Sequence, residues 1–268
     1  MAATSYGKED VGEYSIGNNA GHLWYNRINL LNGASRMRLT LRYGIDAPFI
    51  VASSIGIGAG FSIVSLFGLP HSLFGLVFGL YLFAIGLWML LYSAVIKISH
   101  RYVILGLANV QAGDVLLDVG AGRGLLAIAA ARQGCKVTAI DKWSQWDLGG
   151  NGRRALERNA ETEGVPGIEI LDGDVRKLPF ETETFNVVVS NFVLHNIKGD
   201  EDRALAIREM WRVLRLSGRL VISDILLTQP YIETLAPLTD RIQTKRYLYT
   251  FPFSRVIVAY KNDGPQPS

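Results

Sequence analysis

The stretch Val115–Gly134, "VLLDVGAGRGLLAIAAARQG", decides how the rest of the chain is read. An apolar run ends in Asp118 and Val119, glycines then occupy positions 120, 122 and 124, and small aliphatic residues follow as far as Gly134. Val115–Val119 reads as a buried strand and the glycines as a tight turn. "LLAIAAARQG" reads as a helix, with Gly134 as its C-terminal stop. A strand that feeds a helix through such a turn offers bare backbone N–H groups and lets a ligand approach the backbone closely. The pattern points to a nucleotide-like ligand and leaves open which one.

The details narrow the choice. A dinucleotide turn places its third small residue at position 125, where this chain has Leu, and its third glycine arrives one position early. Asp118 at the carboxyl end of the strand would also oppose a pyrophosphate. A ligand with a positive centre and no phosphate suits the arrangement better, and S-adenosylmethionine (SAM), with its adenosine, sulfonium and amino acid, is such a ligand. A nicotinamide-dependent oxidoreductase is disfavoured on the same grounds.

Outward from the turn, short apolar runs alternate with helical patterns, which argues for a parallel sheet built from βα units. "KVTAID" is a second strand ending at Asp141, and "GGNGRRALERNAETEGV" a polar helix before a short strand, "IEIL". Phe185–Ser190 is a fourth strand. "DEDRALAIREMWRVLRLSG" is an amphipathic helix with Ala204, Ile207, Met210, Trp211 and Leu214 on one face, and "GRLVISDIL" is a fifth strand. "KRYLYT" and "RVIVAYK" form a closing hairpin, and the tail, 262–268, reads as disordered.

At this point the sequence resembles the class I SAM-dependent methyltransferases, with "LLDVGAGRG" as their first motif and further landmarks in order over roughly Val103–Ser223. The "LPF" and "VLHNI" wording is most similar to the ubiquinone and menaquinone biosynthesis branch. The resemblance implies an α/β, Rossmann-like seven-stranded sheet with SAM as cofactor. It places Asp118, Gly120, Ala121, Gly122 and Gly124 at the glycine turn, with Asp141, 23 residues after Asp118, on the ribose hydroxyls beside Lys142. It sets Asp174 and Val175 at the adenine, and adds Asn191 at the end of the fourth strand. The usual Pro-Gly-Gly before the fifth strand is replaced by Leu216-Ser217-Gly218, one glycine remaining for the turn. Trp143 or Trp146, in "DKWSQWDLGGNG", could cover the adenine face or the substrate pocket, or fill the helix–sheet interface.

Methyl transfer from a sulfonium needs a nucleophile held about 3 Å from the methyl carbon and often little acid–base help. Asn191, His195, Asn196 and Asp224 are the polar candidates above the fourth and fifth strands. His195 is the one candidate catalytic base, its alternative being a capping or loop histidine. No Asn-Pro-Pro-Tyr/Phe run follows the fourth strand, which weighs against amide N-methylation. No His/Cys/Asp grouping has metal-ligand spacing, and Cys135 reads as structural.

The N-terminal third is different in kind. Residues 47–96 contain no Asp, Glu, Lys or Arg in fifty positions, although 19% of the whole chain is charged. The run divides at "GLPHS" into two stretches of about 20 residues, each long enough for a ~30 Å hydrocarbon core. Gly56 and Gly60 are the candidates for close helix packing. Arg36, Arg38 and Arg42 before the run, and Lys97 and Arg101 after it, place both ends and the catalytic domain on the cytoplasmic face. The alternative is a helical hairpin buried in a soluble protein. "HLWYNRINLLNGASRMRLTLRYG" is either an interfacial helix, with Trp24, Leu30, Leu31 and Leu41 down, or a segment packed on the domain. No secretory signal is visible at the start.

The expected organisation is thus an N-terminal segment (1–46), a two-helix membrane hairpin (47–97), a methyltransferase domain (98–261) and a tail. A net charge of +3 is too small and too dispersed to suggest nucleic acid as a partner, and none is expected. A domain fixed at a bilayer favours a small hydrophobic or lipid-like acceptor. The alternatives are an inactive SAM-binding scaffold and a methyltransferase for a soluble molecule.

Overall fold

The computed structural model describes residues 43–68, 72–143, 152–165, 167–225 and 228–262. All of the expected interfacial segment but Tyr43 and Gly44, together with Trp146, His71 and most of the tail, lies outside them.

Two apolar helices open the described chain, α1 (Pro48–Phe67) and α2 (Leu73–Leu91). Their contact runs through glycines other than those expected. A methyl group on Gly58 would sit 2.5 Å from the Phe83 amide, and one on Gly79 2.6 Å from that of Ser62. Gly86 is closed in the same way by Ile55. Gly56 and Gly60 face open space, because each lies two residues, about 200° around the helix, from Gly58. Only 22% and 17% of the apolar windows of these helices are buried, so among the described residues the two helices pack mainly on each other. Phe49, Phe67, Phe74 and Leu80 point outward.

The second helix does not stop where the apolar run stops. It passes through a π-helical turn, Tyr92–Ile96, into α3 (Lys97–Leu107), making one helix of 35 residues, Leu73–Leu107. The boundary expected at 97–98 therefore falls inside a continuous helix. Lys97 and Arg101, expected as flanking cations, are buried. Lys97 is salt-bridged to Asp46 at 3.1 Å and Arg101 to Glu163 at 3.4 Å.

The domain proper alternates β1 (Val115–Val119), α4 (Leu125–Ala131), β2 (Lys136–Asp141), α5 (Arg153–Thr162), β3 (Glu169–Asp172) and β4 (Phe185–Asn191). It continues with α6 (Asp200–Val213), β5 (Leu214–Asp224), α7 (Thr228–Leu235), β6 (Ile242–Tyr247) and β7 (Ser254–Tyr260). These make the expected Rossmann-like sheet of seven strands, in the order β3-β2-β1-β4-β5-β7-β6. The first five are parallel and β7 is antiparallel between β5 and β6. Leu105, Leu126 and Leu156 cover one face of the sheet, and Ile207, Met210, Tyr231 and Leu235 cover the other.

Two local readings are corrected. Leu214 begins β5 instead of ending the helical face. Leu216-Ser217-Gly218 also lies within β5, where the register against β4 jumps from Phe185↔Leu214 to Val187↔Arg219. The retained turn is therefore a bulge that bends the strand. Helix α7 was not anticipated, since it is short and carries an internal Pro; burial of Tyr231 and Leu235 holds it on the sheet.

Candidate cofactor and active site

The carboxyl ends of β1, β2 and β4 open into a cavity of about 650 Å³, within the range of small-molecule sites. Gly120, Ala121, Gly122, Asp141, Lys142, Asp174, Val175 and Asn191 all line it, so eight of the ten cofactor positions read from the sequence converge. The turn is held from below: Gly120 donates to the Ile140 carbonyl at 2.8 Å, and Gly122 to Asp141 Oδ2 at 2.8 Å. At Gly120 φ is +72°, and a Cβ would lie 2.2 Å from Val193 Cγ2, so only glycine fits.

The other two positions act indirectly. Gly124 is off the cavity wall, starting α4 at φ +82° where a Cβ would strike Leu156 at 2.8 Å. Asp118 is also absent from the wall. It is buried, and its Oδ2 accepts from the Ala127 amide in α4 at 2.8 Å. Burial pushes its carboxyl up to about 7. Its role is to tie the strand to the helix beneath the turn, so the sign of its charge does not face the ligand.

The acidic residue at the next strand end is clamped. Asp174 Oδ2 lies 2.6 Å from Arg176 Nη2 and 2.7 Å from Lys142 Nζ. The hydrogen bonds from Arg176 hold its carboxyl well below the usual carboxylate range. Arg176 also pairs with Asp202 at the start of α6, a bridge no motif announced. Asn191 Oδ1 and Trp143 Nε1 are buried without a hydrogen-bond partner. An orphaned acceptor on the wall of a polar cavity fits a ligand that brings its own donor, as the ammonium of SAM does.

His195 stands on a short 3₁₀ turn, Leu194–Asn196. Its neighbours Val193 and Asn196 are on the cavity wall, but its own ring is turned to Asp224, Nδ1 to Oδ1 at 2.6 Å. Asp224 is fully buried and also accepts from the amides of His195 (3.0 Å) and Ile225 (2.7 Å) and from the Tyr231 hydroxyl (3.3 Å). The structure thus gives this histidine a fixed position and does not bring it onto the ligand surface.

One wall of the cavity was not legible in the sequence. Tyr43, Asp46, Tyr92 and Lys97 come from the base of the α1–α2 hairpin and face the glycine turn across the same space, with Arg123 between. Lys97 donates to the Gly44 carbonyl at 2.6 Å as well as to Asp46, and Ser93 Oγ lies 3.1 Å from Asp46 Oδ2. Tyr43 donates to Glu163, which also takes Arg132 at 2.9 Å and Arg101. Burial alone would raise the Glu163 carboxyl, but the charge of Arg101 and these hydrogen bonds hold it below its ordinary value.

Residues 117–222 match the sequence profile described as a methyltransferase domain. The chain is 33% identical over 125 residues to the demethylmenaquinone methyltransferase of Thermobifida fusca, covering 46% of this chain and 49% of that one. It is 34% identical over 153 residues to the ubiquinone/menaquinone biosynthesis C-methyltransferase of Pseudomonas putida, covering 55% and 52%. The chain thus spans about half the length of these relatives. In fold it is similar to a geranyl diphosphate methyltransferase solved with SAM, at a TM-score of 0.52, 17% identity, and coverage of 66% of this chain and 90% of that one.

Proposed function

We propose that this chain carries a class I SAM-dependent methyltransferase domain joined to its helix pair through the continuous helix Leu73–Leu107, and that it transfers a methyl group to a hydrophobic, quinone-like acceptor delivered from a bilayer. The observation that carries the reading is the shared cavity. One wall is the glycine turn with Asp141, Asp174 and Asn191, and the facing wall is the base of a hairpin whose outer surface is apolar.

When bound, SAM supplies an electrophilic methyl on a sulfonium. Asp141, which holds the turn through Gly122, would accept from the ribose hydroxyls, and the Val175 amide and Asp174 would meet the adenine. The orphaned Asn191 Oδ1 would accept from the ammonium. Leu125, Val119 and Ile140 complete an apolar floor that keeps water from the reacting carbon. His195, pinned by Asp224, shapes the rim at Val193 and Asn196. The names of the Thermobifida and Pseudomonas relatives support a quinone-type acceptor, and that of the Pseudomonas relative supports carbon as the methylated atom.

Helices α1 and α2 span the bilayer in this reading, and an even number of spans puts residues 1–46 and the domain on one side. Arg36, Arg38 and Arg42 support the cytoplasmic side; Lys97 and Arg101, spent in buried pairs, add little. The test uses the full chain in lipid nanodiscs with SAM and a prenylated 1,4-naphthohydroquinone. The expected product is heavier by one CH₂ unit by mass spectrometry. SAM binding without that product overturns the acceptor class, and absence of SAM binding overturns the cofactor site.

A further inference from the structure

The loop between β6 and β7 exposes apolar side chains that folding does not explain. Leu248 is 70% exposed, Phe253 61% and Tyr249 40%. The loop is nevertheless built firmly. Thr250, fully buried, donates through Oγ1 to the Tyr247 carbonyl at 2.9 Å, and the Ser254 amide donates to Thr250 Oγ1 at 2.8 Å. A closed loop that turns Leu248 and Phe253 outward presents them to something.

Its position says what. The Tyr249 hydroxyl lies 3.0 Å from His100 Nδ1, and the rings of His100, Tyr247 and Tyr249 pack edge to face at 4.9–5.5 Å. His100 is in α3, one turn beyond Ile96, the last residue of the uncharged run. The loop is therefore fixed beside the helix at the level where the apolar surface of the hairpin ends. Its strands add positive charge. Arg246 and Arg255 stand directly opposite each other in the β6–β7 register, and Lys245, on the other face of the strand, places its ammonium 5.6 Å from the Tyr247 ring. Among the described residues no carboxylate pairs with any of the three. Like charges opposed across strands repel, and an anion between them relieves the repulsion.

We infer that the β6–β7 loop is a second membrane contact, with Leu248, Tyr249 and Phe253 dipping into the interface and Lys245, Arg246 and Arg255 meeting the phosphates of anionic lipids. Apolar and aromatic residues flanked by Arg and Lys are the composition that interfacial anchors use. The inference rests on the bilayer reading of α1 and α2 and deepens it: the domain is held at two points, so its cavity keeps a fixed orientation to the lipid surface.

The test places a single nitroxide-labelled cysteine in a Cys135→Ser background of the full chain, in vesicles of phosphatidylcholine with or without phosphatidylglycerol. The label sits at Phe253→Cys, at Leu80→Cys on α2, or at Leu205→Cys on α6 as the aqueous reference. Collision rates with oxygen and with a water-soluble nickel complex report depth. The expected result is an oxygen-to-nickel ratio at Phe253 severalfold above that at Leu205. That ratio should rise further with phosphatidylglycerol and lose the rise in an Arg246→Gln/Arg255→Gln variant. A ratio at Phe253 equal to that at Leu205, with Leu80 lipid-exposed, overturns the loop contact and leaves the hairpin standing. An aqueous ratio at both Phe253 and Leu80 overturns the hairpin as well. A lipid-exposed Phe253 that ignores phosphatidylglycerol overturns the role of the three cations.

Discussion

Asp118 shows how far a motif reaches at the scale of a residue. The sequence places it at the end of the first strand, but alternation along that strand turns its carboxyl under the turn, toward Ala127, and leaves Val119 on the cavity wall. Its raised carboxyl has a consequence for stability. The folded state binds this proton more tightly than the unfolded chain, so Asp118 lowers stability as pH rises from the ordinary Asp value of 3.8 through about 7. Asp118→Asn should therefore show a flatter fall in melting temperature between pH 5 and 7.5 than the wild type, measured in the same detergent. Gly120→Ala faces both a left-handed backbone and a 2.2 Å clash with Val193. It should cost about 1–3 kcal/mol of stability and weaken SAM binding, read by thermal unfolding and calorimetry. The cofactor positions of Asp141 and Asn191 were legible through the family resemblance, which ties them to the ends of the second and fourth strands. Arg176 was not, because its partners Asp174 and Asp202 are joined only by the fold.

The elements divide in the same way. The five parallel strands followed from short apolar runs, because a parallel sheet buried on both faces needs them; the sixth, read as "KRYLYT", lies three residues earlier at Ile242–Tyr247, because this edge strand is polar and mostly exposed and shows no apolar run. The helix pair was legible as two apolar runs, but its contact face was not, since nearly every side chain on it is apolar and only the helical period separates one glycine from the next. Gly79→Leu should therefore force α1 and α2 apart, lowering the melting temperature in detergent by several degrees, whereas Gly60→Leu should leave it unchanged. Equal effects at the two sites would contradict the interface through Gly58, Gly79 and Gly86. Helix α7 escaped because its eight residues hold too few apolar positions for a period to emerge.

For the whole molecule, the junction between hairpin and domain is the part the sequence concealed. Tyr43 and Glu163, Arg101 and Glu163, and Lys97 and Asp46 are all far apart in the chain, and no local pattern joins them. Glu163 is the centre of that junction. Glu163→Gln would leave Arg101 as a buried charge without its carboxylate, a change that typically costs about 3–5 kcal/mol. The expected signs are a lower melting temperature and new protease cleavage between the hairpin and the domain, with SAM affinity reduced because the wall bearing Tyr43 and Asp46 is loosened.

The helix from Leu73 to Leu107 is continuous and about 50 Å long by its rise per residue. Its first half is immersed in the proposed bilayer and its second half, beginning at Tyr92 and Lys97, reaches the wall of the cavity. A rod of fixed length answers a thicker or thinner membrane by changing its tilt, and tilt at one end becomes displacement at the other. Turnover in vesicles of stepped acyl-chain length should accordingly pass through a maximum, the protein acting as a gauge of the membrane it works in.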